Sequence, residues 1–223
     1  MYDVRPNLVL GFHGCEKEIR DALLTNPNNI QKSEKPYDWL GNGVYFWEND
    51  HERALEWAQA RQARGEIKEA SVIGAVLHLG VCCDFLDRTY IKLLYKFYEL
   101  LKANYNILGV PMPENRDSKG DNHKDRLLRE LDCAIIELMH EKMFEQYQEE
   151  VSSHGFSRRR LFESARGVFT EGGEAFPGAG IAAKSHIQIC VRNLDCIKGF
   201  FLPRIEGDFY ADLTTQYQVK KSK

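Results

Sequence analysis

From Ser71 to Val81 the chain reads Ser-Val-Ile-Gly-Ala-Val-Leu-His-Leu-Gly-Val, an almost unbroken apolar run. It is too short to cross a membrane and has no polar parity, so as a strand it must be buried on both faces. A chain holding such a strand needs side-chain layers on either side of a sheet. With 223 residues there is material for one domain of this kind, and a single domain over 1–223 is expected.

The opening block Leu8 to Gly14 has strand alternation, with Leu8, Leu10 and Phe12 on one face and Val9 and His13 on the other. Glu16 to Leu24 has helical spacing and Asn26-Pro27-Asn28-Asn29 ends it. Gly41-Asn42-Gly43 leads into a short strand, Val44 to Trp47. Asn49 and Glu52 have the spacing of a capping box, which predicts a helix from about Asp50 to Arg64. From Tyr90 the period is helical, with Ile91, Leu94, Tyr95, Tyr98 and Leu101 as one stripe. Seven charged residues in the twelve from Glu114 to Asp125 read as a solvated loop. A second long helix is expected from about Lys124 to Glu149, with Leu128, Leu131, Ile135, Leu138 and Met139 inward. Five glycines between Gly167 and Gly180 mark a loop. His186 to Val191 then alternates strictly, and Cys196 to Leu202 is one more strand-like piece. Strands, then helices, then strands define an α+β class.

Thirty Lys plus Arg against thirty-three Asp plus Glu give a net charge of -3. That excludes a surface that is basic throughout and leaves room for a local basic patch. No apolar run approaches the roughly 18 residues of a membrane span, and the first residues lack the order of a signal peptide. A soluble, cytoplasmic protein with no membrane partner is expected. Its six cysteines (15, 82, 83, 133, 190 and 196) show neither C-x-x-C nor zinc-ligand spacing and read as reduced, buried small hydrophobes.

Four pieces have chemical potential, each beside a plainer reading. Phe12-His13-Gly14 joins a ring nitrogen to an unobstructed backbone, or His13 simply bonds a neighbouring loop. Tyr45 and Trp47 share a strand face, as ligand contacts or as core. Trp57 is an anchor or an aromatic wall. On the late strand Ile187, Ile189 and Val191 form the core face, leaving His186, Gln188, Cys190 and Arg192 on a face that is either wet or lines a cleft. Cys15, close to His13, suggests a thiol hydrolase; the strand is expected to turn the two residues to opposite faces, which weakens that idea.

In order and spacing these pieces resemble the ADP-ribosyltransferase superfamily, on its diphtheria-toxin and poly(ADP-ribose)-polymerase side. Phe12-His13-Gly14 resembles the first motif, and Gly41-Asn42-Gly43-Val44-Tyr45-Phe46 the glycine-rich turn and tyrosine strand. Trp57 stands one residue beyond the second stacking aromatic and replaces a Tyr. His186 to Arg192 with Asp195 to Leu202 is similar to the late strand and its continuation. The resemblance implies a split antiparallel β-sheet core, with a helical insertion at about 88–150 that has no counterpart in it.

It further implies NAD+ as substrate, with no metal. His13 would anchor the adenosine-side ribose and Gly14 the carboxamide, while Tyr45 and Trp57 stack on the pyridinium, on the same side as His13. A cation over an aromatic face is worth roughly 0.5–2 kcal/mol. The third motif position falls on Gln188, or on His186 in another register, where polymerising members carry Glu. An amide there bonds ribose but takes no proton, which favours single transfer over polymer extension. Glu171 and Glu174, in the loop that faces the acceptor in the family, are the candidate catalytic carboxylates. The expected activity is mono-ADP-ribosyl transfer to a macromolecular acceptor, protein or nucleic acid, with release of nicotinamide. A toxin or anti-phage role, with an inhibitory partner protein, fits the same resemblance. The alternatives are a non-catalytic NAD+ or ADP-ribose-binding module and an NAD+-dependent RNA phosphotransferase. Arg158, Arg159, Arg160 and Arg166 are candidate phosphate contacts, or a solvated face.

Overall fold

The computed structural model describes residues 8–204. Its strands and helices in chain order are β1 (Val9–Glu16), α1 (Lys17–Thr25), β2 (Val44–Glu48), α2 (His51–Ala63), β3 (Ala70–Leu77), β4 (Cys82–Asp84), α3 (Arg88–Leu108), β5 (Asn115–Arg116), β6 (Leu128–Arg129), α4 (Glu130–His154), β7 (Ser164–Phe169), β8 (His186–Val191) and β9 (Ile197–Phe201). Seven strands form one mixed sheet in the order β4-β7-β8-β2-β1-β3-β9, and β5 with β6 forms a small ribbon. The class is α+β as expected. The sheet is not wholly antiparallel, because β4 and β7 run parallel at one edge.

Register decides which side chains share a face. Phe12 opposes Trp47, Trp47 opposes Gln188, and Gln188 opposes Gly167. One step along, Tyr45, Cys190 and Ala165 form the next row. These two rows lie on the helical face. Helix α2 covers its β1 side, with Ala54 packed among Phe12, Trp47 and Trp57. Tyr90 of α3 and Ile136 and Met139 of α4 bury Leu40, Cys83, Ala165 and Cys190 on its other side. Val44, Phe46, Ala75, Leu77, Ile189 and Val191 form the core of the opposite face. Fully burying side chains of this kind stabilises by about 1.5–3 kcal/mol each. The 71–81 run is therefore β3, buried from both sides, followed by the turn into β4.

Helices α3 and α4 share this core, and α4 also holds the Gly41-Asn42-Gly43 turn. Glu137 of α4 accepts from the Asn42 backbone at 2.8 Å and from its side chain at 3.1 Å, and Arg192 pairs with the same carboxylate. Gly41 has φ +81°, and a Cβ there would lie 2.3 Å from Glu137 Oε1. Only glycine fits both the backbone and the space.

Several sequence expectations need correction. Asp50, not Asn49, caps α2, accepting from the Arg53 amide, while Asn49 takes φ 55°. The inward stripe of α3 is met at Leu94, Tyr98 and Leu101, but Ile91 and Tyr95 are exposed, and Tyr90 and Phe97 face the core in their place. Helix α4 begins at Glu130 rather than about Lys124, because Lys124 and Arg126 have positive φ and Leu128 belongs to the ribbon. Strand β7 begins before the glycine-rich loop, in a stretch the sequence left unassigned. Among the described residues no helix is long and apolar enough to cross a membrane.

Candidate functional site

Strands β1 and β2 pair only at Gly11–Glu48 and Phe12–Trp47, with one further bond from the Asn49 amide to the Leu10 carbonyl at 3.0 Å. Main-chain polar groups alternate along a strand, so those of Phe12 and Gly14 also point toward β2. A continued ladder would join the Gly14 amide to the Tyr45 carbonyl. That carbonyl instead accepts from His13 Nδ1 at 2.8 Å. The imidazole thus bridges the point where the strands part, and the peptide groups of Gly14 face the gap. A carbonyl only accepts, so Nδ1 carries the proton. Burial, the largest influence, lowers the His13 pKa against the opposing effect of this bond. The ring is neutral at pH 7, leaving Nε2 as an acceptor.

The expected aromatic clamp is not formed. Tyr45 points to the helical face and His13 to the other. The tyrosine hydroxyl donates to the Gly41 carbonyl at 2.9 Å and accepts from the Leu40 amide at 2.8 Å. Its ring packs among Leu40, Ile136, Met139 and Cys190. Tyr45 is an anchor for the glycine turn, and burial raises its pKa well above the ordinary value. Trp57 lies against Trp47, with centroids 5.6 Å apart, and carries Arg61 at 4.9 Å. A Cβ on Gly14 would meet the Ala54 carbonyl at 2.2 Å and the Trp57 ring at 3.2 Å. Gly14 is therefore required for the seating of α2, whatever else its backbone does. Cys15, two residues from His13, shares its face, contrary to expectation. Burial pushes its thiol up to about 11, so it is a protonated core residue and no nucleophile.

A second group gathers at the ends of β2, β7 and β8. His186 is buried and stacks on Phe169, with centroids 5.6 Å apart and planes at 18°. Its Nδ1 donates to the Lys184 carbonyl at 2.7 Å, while Nε2 is buried without a hydrogen bond. Burial lowers its pKa, so this imidazole is neutral too. Glu171 is buried and lies 3.9 Å from His186 Nδ1. Arg53 Nε and Nη2 both donate to its Oε1. Oε2 makes no hydrogen bond among the described residues. Trp47 also belongs here, 6.1 Å from His186, with an indole N–H that is buried and unbonded.

Gln188 lies on the same face. Its Oε1 accepts from Trp39 Nε1 at 2.6 Å, which fixes the amide so that its NH2 group is available as a donor. Trp39 rests over Gly167, where a Cβ would meet the indole at 2.7 Å, and makes an edge contact with Phe169 at 5.2 Å. Arg129 lies over Phe169 at 4.0 Å and over Trp39 at 5.3 Å.

The structure thus brings Gln188, His186 and Glu171 to one region and separates Tyr45 and Glu174 from it. Glu174 is exposed and accepts from the Gly178 amide at 2.9 Å, closing its own loop. Gln188 and His186 are alternate residues of β8 on the same face. Arg53, Trp39, Phe169 and Arg129 were missed. The spacing of Arg53 from Asp50 identifies a helix start and gives no sign of a partner 118 residues away. Arg159 is engaged with Glu150, and Arg166 is held between Glu48 and Asp84. Arg158 and Arg160 are exposed. Comparison of the chain with protein-family models, curated proteins and solved structures returned no match.

Proposed function

We propose that this protein transfers a single ADP-ribosyl group from NAD+ to a macromolecule. The observation that carries the reading is the parting of β1 from β2 by the His13 imidazole, which leaves the Gly14 amide and carbonyl facing the gap. One donor and one acceptor on one residue complement a carboxamide. His13 Nε2 is an acceptor for a ribose hydroxyl, and the NH2 of Gln188 is a donor for another. With Tyr45 withdrawn, Trp57 beside Gly14 is the remaining aromatic of the expected pair, and a pyridinium stacked on it would displace the Arg61 guanidinium.

The reaction breaks the bond between ribose C1′ and the nicotinamide nitrogen. The electron pair leaves with nicotinamide, and an acceptor nucleophile bonds C1′ and loses its proton. Glu171 Oε2 is the candidate to take that proton, since Arg53 fixes the other oxygen. Positioning of the substrate supplies much of the rest. General-base catalysis of this kind contributes about 10²–10⁴-fold.

The test is incubation of the purified chain with NAD+ labelled in either half. Released nicotinamide and label on an added protein or nucleic acid support the reading. Saturable NAD+ binding with no nicotinamide release over the range of acceptors identifies a binding module instead. Turnover that depends on a phosphorylated RNA, with loss of its phosphate, identifies a phosphotransferase.

A further inference from the structure

Beside Thr170, the residue before Glu171, lies a cavity of about 310 Å3 lined by Lys124, Arg126 and Arg129, with Asn115 and Thr170 as neutral polar walls. Two acids also line it, and both are engaged: Asp125 accepts from the Gly172 amide at 2.8 Å and Asp132 from the Asn115 side chain at 2.8 Å. Lys124 and Arg126 are exposed, and their side chains have no ion pair or hydrogen bond among the described residues. Arg129 is half-buried on Phe169, its closest carboxylate 3.8 Å away on Asp132.

The backbone here is unusual. Lys124 has φ 59° and Arg126 φ 51°, a region that costs a non-glycine residue on the order of 1–3 kcal/mol. Asp117 accepts from the Arg126 amide, and Asp121 from the amides of His123 and Asp125. Those bonds keep two unpaired cations at the mouth of one cavity. The bond from Gly172 to Asp125 ties this segment to the loop after Glu171, and His123 fills the space where Gly173 has no Cβ. The same loop exposes Phe176 and Ile181.

The cavity lies away from the strand gap. From Phe12 to Thr170 the path crosses three strand spacings and runs three residues along β7, roughly 17 Å. His13 and Gly14 lie beyond Phe12. On the proposed reading NAD+ occupies the His13–Gly14 side, so this cavity is on the acceptor side of Glu171.

We infer that this cavity seats backbone phosphate of a single-stranded nucleic acid and that the acceptor is nucleic acid rather than protein. Three cations against two aspartates leave a net positive lining, and two of those cations have no acidic partner among the described residues, which suits a phosphodiester; an exposed aromatic on the adjoining loop suits an unpaired base. The inference rests on the proposed transferase reading for the word acceptor, but not for the binding itself.

The test is anisotropy of short labelled single-stranded DNA and RNA with the full chain, without NAD+, across a salt series. Three phosphate contacts give a slope of log K against log salt near about -2, and Lys124→Ala/Arg126→Ala should reduce it by about 1.4 while weakening low-salt binding about tenfold or more. Circular dichroism confirms that the variant is folded. Lack of oligonucleotide binding at low salt, equal binding by the double variant, or tighter binding of an acidic peptide than of either strand overturns the inference. Nicotinamide release, measured in parallel, separates the two claims. Turnover without oligonucleotide binding sinks the nucleic-acid site alone, and binding without turnover sinks the transferase alone.

Discussion

Glu137 and Glu171 each sit beside an arginine and near a histidine, yet both oxygens of Glu137 are engaged whereas one oxygen of Glu171 is not. Glu137 takes Asn42 and Arg192 on Oε1 and again on Oε2. Burial pushes its carboxyl up, and Arg192 and Asn42 outweigh that, so its pKa lies below the ordinary value. Glu171 meets Arg53 through Oε1 alone, next to unbonded His186 Nε2 and Trp47 Nε1. Similar parts thus make a fastening in one place and an unfinished set of bonds in the other. A group whose polar atoms are all paired reads as structural; one that leaves polar atoms open is a candidate position for an ordered water or a ligand.

The largest effect expected is on Glu171→Gln. The amide still accepts from Arg53, so the fold should persist, while nicotinamide release should fall about 10²–10⁴-fold. Unchanged release would assign the chemistry elsewhere and erase the contrast. Gly41→Ala, with its Cβ against Glu137, should destabilise the fold by about 2–4 kcal/mol in a urea titration. Glu137→Gln loses charge but keeps part of its bonding, and about 1–3 kcal/mol is expected, discounted for its partial exposure. Neither of these two should alter the binding of NAD+ by the fraction that remains folded. A Trp39→Phe exchange frees Gln188 Oε1 and should lower kcat/KM by about fivefold, one hydrogen bond's worth, with little change in melting temperature.

Acid distinguishes the two histidines more gently. Burial drives His140, close to Glu137 and Arg192, down to about 3, and it lowers His186 as well. Both rings are neutral when folded and take up a proton more readily when unfolded. The stability these two rings contribute is therefore fully present above about pH 6.5 and declines as pH falls below that, by up to ~1.4 kcal/mol per pH unit for each ring. His140→Phe should flatten the slope of urea stability against pH between about 6 and 4. An unchanged slope would place the titration elsewhere.

How much of this was legible in the chain depended on the range of the forces. β1, β2, β8 and β9 announce themselves by alternation or by runs of apolar residues, and the Gly41 turn by its glycines. β7 does not, because Arg166 interrupts it, and its burial depends on Glu48 and Asp84, 118 and 82 residues away. The start of α4 was misplaced because Asp117 and Asp121 hold Lys124 to Arg129 out of the helix by side-chain bonds that periodicity does not see. The strand period gave Tyr45 its face correctly. It had no means of saying that α3 and α4 cover that face, which turns a proposed wall of the cleft into a brace. Glu171 is a candidate through the resemblance alone, and its contacts with Arg53 and His186 emerge only from the tertiary fold.

All six cysteines are free and buried, and burial lifts Cys15, Cys133 and Cys196 to about 11 and Cys83 and Cys190 higher still. Thiolate is the form that reacts with maleimides, so the native molecule presents almost no background to such reagents. A fluorophore attached to one cysteine introduced at Phe176 would therefore report solely on the loop beyond Glu171, with every natural sulfur left in place.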